Sequence, residues 1–363
     1  MKRILFIAAL ALVACSTGNK KPMETPKDVL VQRLFSYAEN GKIAYGHQDD
    51  LVYGHSWVVE DVEKDPLKRS DVKDVTGKYP VVVGFDLGGI ELADSCNLDG
   101  VDFGLMRRAA LKHIERGGIV TFSWHPRNPL TGGDAWDISS DKVVESVLPG
   151  GEKHTEFMLW LRRAADFIES LGPDSAVIFR PWHENIGSWF WWGGNLCTPD
   201  QYKDLYRFTH MYFSQVRGLT NILWCYSPNG NCNPREYMSR YPGDEFVDML
   251  GIDTYEYVGP TGLADAAVHY QTELKAALTY LAAIGMEHEK LMCLSETGLE
   301  GLQDPKWWTD VLYPAIKDFP VSYVLTWRNA HDKPGHFYAA WNGFEGAANM
   351  KAFSKLDKIV FLD

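Results

Sequence analysis

Eight short runs of apolar, β-prone residues, each followed by a segment of helical character, restrict what this chain can fold into. They lie at 42–47 (KIAYGH), 80–87 (PVVVGFDL), 118–125 (GIVTFSWH), 176–184 (AVIFRPWHE), 221–228 (NILWCYSP), 247–255 (VDMLGIDTY), 290–296 (KLMCLSE) and 322–329 (SYVLTWRN). Each is nearly continuous in apolar residues rather than alternating, as expected of parallel strands covered on both faces. One intervening segment shows the helical period plainly. Phe157, Trp160, Leu161, Ala164, Ile168 and Leu171 fall on one stripe, Arg162, Arg163 and Asp166 lie off it, and Gly172-Pro173 ends it. Eight strands alternating with helices predict an α/β fold, a closed (β/α)8 TIM barrel. An open doubly wound sheet is the weaker alternative, because no GxGxxG turn follows the first strand.

Polar and aromatic residues gather at or just past the carboxyl ends of these runs: His47, Asp86, His125, Glu184, Tyr226, Asp253, Tyr255, Glu296 and Trp327. In a barrel these ends face one mouth, where the active site forms. Burying a charge there without partners is costly, so a carboxylate at such an end calls for a reason.

Two glutamates end the fourth and seventh runs, Glu184 and Glu296, 112 residues apart. That is about 37 residues for each of three βα units, near the ~31 of a typical barrel. Strands four and seven lie far apart around the ring, so their ends face one another. Facing carboxylates suit glycoside hydrolysis: one donates a proton to the leaving oxygen, while the other attacks or stabilises the anomeric carbon. Structural salt bridges at two strand ends would leave the same pair of residues.

The flanking residues decide between these readings. RPWHE (180–184) runs into NIGSWFWWG (185–193), with DTY (253–255), SETG (295–298) and TWRN (326–329) on later strands. Together these strings closely resemble glycoside hydrolase family 26, mostly β-1,4-mannanases on a (β/α)8 barrel, and the resemblance runs from about His47 to Trp327. It implies Glu184 as acid/base and Glu296 as nucleophile of a retaining enzyme. It implies substrate-binding roles for His125, His183, Asp253 and Tyr255, the last hydrogen-bonded to the nucleophile. Trp189 and Trp327 match positions that stack on sugar rings near the cleavage point. Arg180, in strand period with Trp182 and Glu184, is expected to point with them into the mouth and set a fixed positive charge beside Glu296. Trp191, Trp192 and Trp224 read equally as core or as platform. The substrate implied is mannan, glucomannan or galactomannan; β-1,3-xylan and mixed-linkage β-glucan are the alternatives within the family. A non-catalytic sugar-binding lipoprotein is the alternative outside it.

Other chemistries lack their residues. HExxH would need His where Gly187 stands, GHSWV (54–58) lacks the closing Gly of a serine-esterase elbow, and no phosphate loop is present. No cofactor or metal is expected. A net charge of −12 disfavours nucleic acid and anionic membrane surfaces as partners. A monomer is expected. The stretch from Arg127 to Glu152 is long and Gly-rich; it reads either as a wall closing one end of the cleft or as a loose rim.

The N-terminus has its own signature. Lys2 and Arg3 precede an apolar run, Ile4 to Ala14, too short to span a bilayer but suited to a signal peptide. Its end, Leu12-Val13-Ala14-Cys15, resembles a bacterial lipoprotein cleavage box, which implies acylation of Cys15. The expected organisation is a signal peptide at 1–14, a lipid-anchored tether at 15–30 and one catalytic domain at 31–363. Export is expected, with an outer-membrane anchor facing the periplasm or the cell surface. Of the remaining cysteines, Cys96, Cys197, Cys225, Cys232 and Cys293, spacing gives no pairing.

Overall fold

A computed structural model of the chain describes residues 24–59 and 68–363. Eight parallel strands form one closed ring: β1 (Ile43–Gln48), β2 (Val82–Asp86), β3 (Ile119–Trp124), β4 (Val177–Pro181), β5 (Ile222–Tyr226), β6 (Met249–Glu256), β7 (Leu291–Leu299) and β8 (Val321–Thr326). Each pairs with its neighbour in sequence, and β8 closes on β1 in the register His47 to Thr326. All eight expected runs are strands, and the fold is the (β/α)8 barrel. No described helix is long and apolar enough to cross a membrane.

Successive residues point alternately into the barrel and out towards the helices. Ala44, Val82, Ile119, Ile178, Leu223, Met249 and Tyr323 fill the interior near the amino ends of the strands. Phe85, Phe122, Phe179 and Trp224 face out into the helical layer, where the larger core lies. The expected stripe is the buried face of helix His154–Ser170, with Phe157, Trp160, Leu161, Ala164 and Ile168 inward.

The amino-terminal end of the barrel is stoppered by α1 (Pro26–Glu39). Thr25 caps it: its hydroxyl accepts from Asp28 N–H, Asp28 accepts from Thr25 N–H at 3.0 Å, and Pro26 begins the first turn. Leu30 and Leu34, one turn apart, are buried among the interior residues. Lys27 pairs with Asp248 at 2.8 Å, where β6 begins. The boundary drawn at residue 31 is therefore corrected: packed structure begins by Pro26, because the capping box starts a helix whose apolar face belongs to the barrel core. The expected signal segment, Cys15 and the first part of the expected tether lie outside the described residues. All five remaining cysteines are free thiols; Cys225 and Cys293 meet at 3.9 Å inside the barrel without a bond.

Removing the stopper's larger contact tests this packing. Leu34→Ala, at a fully buried site, is expected to cost about 2–5 kcal/mol of stability, read from chemical denaturation. A loss under about 0.5 kcal/mol would show that α1 does not belong to the core.

Candidate active site

Glu184 and Glu296 meet across the carboxyl end of the barrel. With Asp253 they form a trio whose nearest oxygens all lie within 4.8 Å of one another. Glu296 reaches this point because β7 carries a bulge. On β6, Ile252 and Asp253 are consecutive; their partners on β7 are Leu294 and Glu296, so Ser295 is an extra residue. The β8 side shows the same insertion, Leu294 to Thr297 against Val324 to Thr326. A one-residue slip reverses which side chains face inward. The bulge lets both Ser295 and Glu296 face the site.

Arg180 of β4 binds the trio together. It is buried, and its guanidinium donates to Glu296, to Asp253 at 2.8 Å and to Ser227 Oγ at 3.0 Å. Ser295 and Ser227 hydroxyls donate to Asp253 at 2.6 and 3.1 Å. Gly251, beneath Asp253 on the same strand face, makes this possible: a Cβ there would lie 2.5 Å from Ser295 Oγ and 2.7 Å from Ser227 Cβ. Tyr255 completes the set by donating to Glu296 at 2.7 Å. Three clustered carboxylates could otherwise attract a cation, but Arg180 already supplies the counter-charge to two of them.

The loop carrying Glu184 is strained and tightly held. Trp182 and Glu184 both have positive φ, 56° and 53°, a conformation that side chains with a Cβ rarely adopt. Several polar backbone groups around them are engaged. Tyr202 donates to Trp182 O at 2.8 Å, Trp192 Nε1 to His183 O at 2.8 Å, Glu184 N to Ser227 O at 2.8 Å and Gly187 N to Asn229 Oδ1 at 2.8 Å. These reversals correct the expectation that Arg180, Trp182 and Glu184 point together. β4 ends at Pro181, and Trp182 turns outward, fully buried, with Nε1 on Thr209 at 3.1 Å. Arg180 and Glu184 reach the mouth.

Trp189 stands beside Glu184, donating to its carboxylate at 2.6 Å while 41% exposed. Gly187 makes room for it, since a Cβ there would fall 2.3 Å from the indole ring. The partial enclosure of Glu184 raises its pKa well above the usual carboxylate range, Glu296 and Asp253 push the same way, and Trp189 opposes them. Burial also pushes the Asp253 carboxyl up, against the pull of Arg180.

The other expected residues divide. His125 and His183 are adjacent, their Nε2 atoms 3.1 Å apart. Trp327 follows β8, half-buried, its N–H on Thr297 O beside Glu296. His47 pairs with Asp50 at 2.8 Å, and Tyr226 turns outward to Tyr237 O. Trp191, Trp192 and Trp224 are core. Trp136 was not singled out from the sequence, yet it lies nearly parallel over His125, ring centroids 5.2 Å apart, and is 47% exposed. It rides on the stretch after β3, which is no loose rim: Asn128 ties Leu130, Thr131 and Asp137 together, and Ala135 O accepts from Trp191 N–H. A lone Trp in a Gly-rich loop carries no spacing signal that would have flagged it.

The Trp189 contact gives a pH test with a definite sign. If Glu184 serves as a general acid, it works only while protonated, and activity then falls as pH rises through its pKa. Trp189→Phe removes a hydrogen bond that lowers that pKa, so the alkaline limb of kcat/KM should move to higher pH. An alkaline limb that stays put or moves down would refute this. Gly187→Ala should displace the indole and lower kcat/KM by about tenfold, with the fold unchanged by circular dichroism.

A Bacteroides ovatus β-mannanase superposes with a TM-score of 0.86 at 44% identity, covering 93% of this chain and 95% of that one. A modular endo-β-1,4-mannanase from Cellulomonas fimi superposes with a TM-score of 0.78 at 31% identity, covering 93% and 77%. A mannan endo-1,4-β-mannosidase from Bifidobacterium adolescentis is 32% identical over 344 residues, 87% of this chain. The chain spans only 33% of the length of that relative. The glycosyl hydrolase family 26 profile matches residues 28–292, and the chain belongs to that family.

Proposed function

We propose that this protein hydrolyses β-1,4-mannosidic bonds in mannan, glucomannan or galactomannan with retention of anomeric configuration. One observation carries the reading: Glu184 and Glu296 present oxygens within 4.8 Å of each other at the barrel mouth. Retaining glycosidases hold their two carboxyls about 5–5.5 Å apart; inverting ones need about 6.5–9.5 Å to admit a water. The β-mannanases among the similar proteins support mannan as substrate.

The steps follow from the side chains. Glu184, protonated because its pKa is raised, delivers its proton to the glycosidic oxygen as the bond to the anomeric carbon breaks. Glu296, held by Arg180 and Tyr255, attacks that carbon from the other side and forms an ester. Ester formation removes the charge of Glu296. One of the causes that raise the pKa of Glu184 thereby disappears, and Glu184 becomes the base the second step needs. It takes a proton from water, the oxygen of that water attacks the anomeric carbon, and Glu296 leaves as carboxylate. Sugar rings offer C–H faces to aromatic plates; Trp189 beside Glu184 and Trp136 over His125 are both exposed enough to offer them.

We further propose that the chain is exported and acylated at Cys15, supported by the Leu12-Val13-Ala14-Cys15 sequence behind Lys2, Arg3 and the apolar run. Radiolabelled palmitate should enter the wild-type chain and not Cys15→Ser; equal labelling would overturn the assignment.

The deciding experiment is a timed product profile on linear β-1,4-mannan, with β-1,3-xylan and mixed-linkage glucan alongside, and the first-formed anomer read by NMR. Mannan cleavage with the β-anomer appearing first is expected. Cleavage of another polymer alone would overturn the substrate, and first appearance of the α-anomer would overturn the mechanism. Glu184→Ala should lower kcat on mannan by about 10²–10⁴-fold. Glu296→Ala should abolish turnover with the fold intact; substantial remaining turnover would remove Glu296 from the nucleophile role.

A further inference from the structure

Behind the catalytic pair lies a buried chain of three side chains, Asp86, His125 and His183, of which the two-step hydrolysis uses none for bond making. Asp86 ends β2 and is buried. Its carboxylate accepts from Ser123 Oγ at 2.6 Å, His125 Nδ1 at 2.6 Å, Gly88 N at 2.7 Å and His125 N at 3.2 Å. An ionised carboxylate has no proton to give, so Nδ1 of His125 carries one. The other nitrogen of His125 meets Nε2 of His183 at 3.1 Å. A hydrogen bond between two ring nitrogens needs one proton between them, and Nδ1 of His183 is left buried without a partner.

We propose that Asp86, acting through His125, decides which ring nitrogen of His183 carries the proton, and so serves as a positioning residue for the hydrolysis. The catalytic consequence rests on the hydrolase reading above; the proton arrangement itself does not.

Two states follow. When His125 is an imidazolium, its Nε2–H donates to His183, which accepts at Nε2 and carries its proton on Nδ1. When His125 loses that proton, its Nε2 becomes an acceptor, and His183 must then donate from Nε2, leaving Nδ1 bare. One proton leaves the pair, and Nδ1 of His183 changes from donor to acceptor. His183 immediately precedes Glu184 in the chain, so the switch lies one residue from the acid/base. His183 itself stays neutral across this change: burial pushes its pKa well down, with Arg180 and His125 adding to it. Burial also pulls His125 down, but the charge and hydrogen bond of Asp86 outweigh it, and Glu296 adds to the upward pull while Arg180 opposes it. His125 thus titrates above its ordinary value. The charged and titratable groups around the pair are Asp86 from β2, Asp99 from the loop after it, Arg180 from β4 and Glu296 from β7; Trp136, Phe190 and Trp192 close the remaining sides.

The test reads the rings directly. Full-length protein carrying ¹⁵N-histidine is titrated from about pH 5 to about pH 9 without substrate, following the ring nitrogens. In the wild type the His183 tautomer should invert as His125 titrates. Asp86→Asn keeps the shape but puts an amide N–H or a weaker acceptor at His125 Nδ1; the inversion should disappear or leave this range. In the same variant kcat/KM on mannohexaose should fall roughly 10- to 100-fold, with its pH profile displaced. Wild-type ring shifts in Asp86→Asn would overturn the proposal, and so would altered shifts with an unchanged pH profile of hydrolysis. Should mannan prove not to be the substrate, the ring titration still decides the proton arrangement. If Asp86→Asn does not fold, Ser123→Ala decides instead. Losing that donor makes Asp86 a stronger acceptor for His125, so both titration and inversion should move to higher pH; no movement would overturn the proposal.

Discussion

The buried guanidinium of Arg180 is the interaction around which the catalytic end of this barrel is built. An arginine inside the ring is costly unless its donors are met, and here they are met by two strands and the segment after a third. Asp253 comes from β6, Glu296 from β7 and Ser227 from just past β5. The partners of these partners then follow. Asp253 draws in Ser295, Ser295 requires an empty position at Gly251, and Glu296 draws in Tyr255. A fixed charge that cannot be deprotonated in a protein therefore holds Glu296 in place ahead of any ligand.

Much of this was readable in the chain. The eight strands were visible because parallel strands covered on both faces must be apolar throughout. The two glutamates were visible because strings of aromatic and polar residues surround them. What escaped has physical causes. Strand period was carried through Pro181, where two positive-φ residues break it, so Trp182 was expected in the mouth and lies in the helical layer. The β7 bulge was invisible for the related reason that an extra residue shows only against its neighbours. Arg180 and Glu184 share an orientation despite the broken period, not because of it. The early start of α1 was readable after all: Thr25-Pro26-Lys27-Asp28 has the pattern of a capped helix. Asp86 was no more than another strand-end polar residue until its four donors were in view.

Strain at Trp182 and Glu184 is the counterpart of that order. Residues held in this region cost on the order of 1–3 kcal/mol each, and the surroundings must offset it. They do so with backbone hydrogen bonds from Tyr202, Trp192, Ser227 and Asn229, side chains and backbone drawn from the segments around β4 and β5. Glu184 is thus anchored by several separate segments of the chain. It is partly enclosed and close to Glu296, and these are the conditions that keep its proton in place.

The stopper helix gives the molecule a front and a back. Thr25 and Lys27 sit where the strands begin, and the glutamates where they end, so Thr25 and the cleft lie at opposite ends of the barrel. A bead, an electrode or a neighbouring module joined ahead of Thr25 would hold the protein by its blind end. The open end would then point outward into the surrounding liquid, without the support standing in its path.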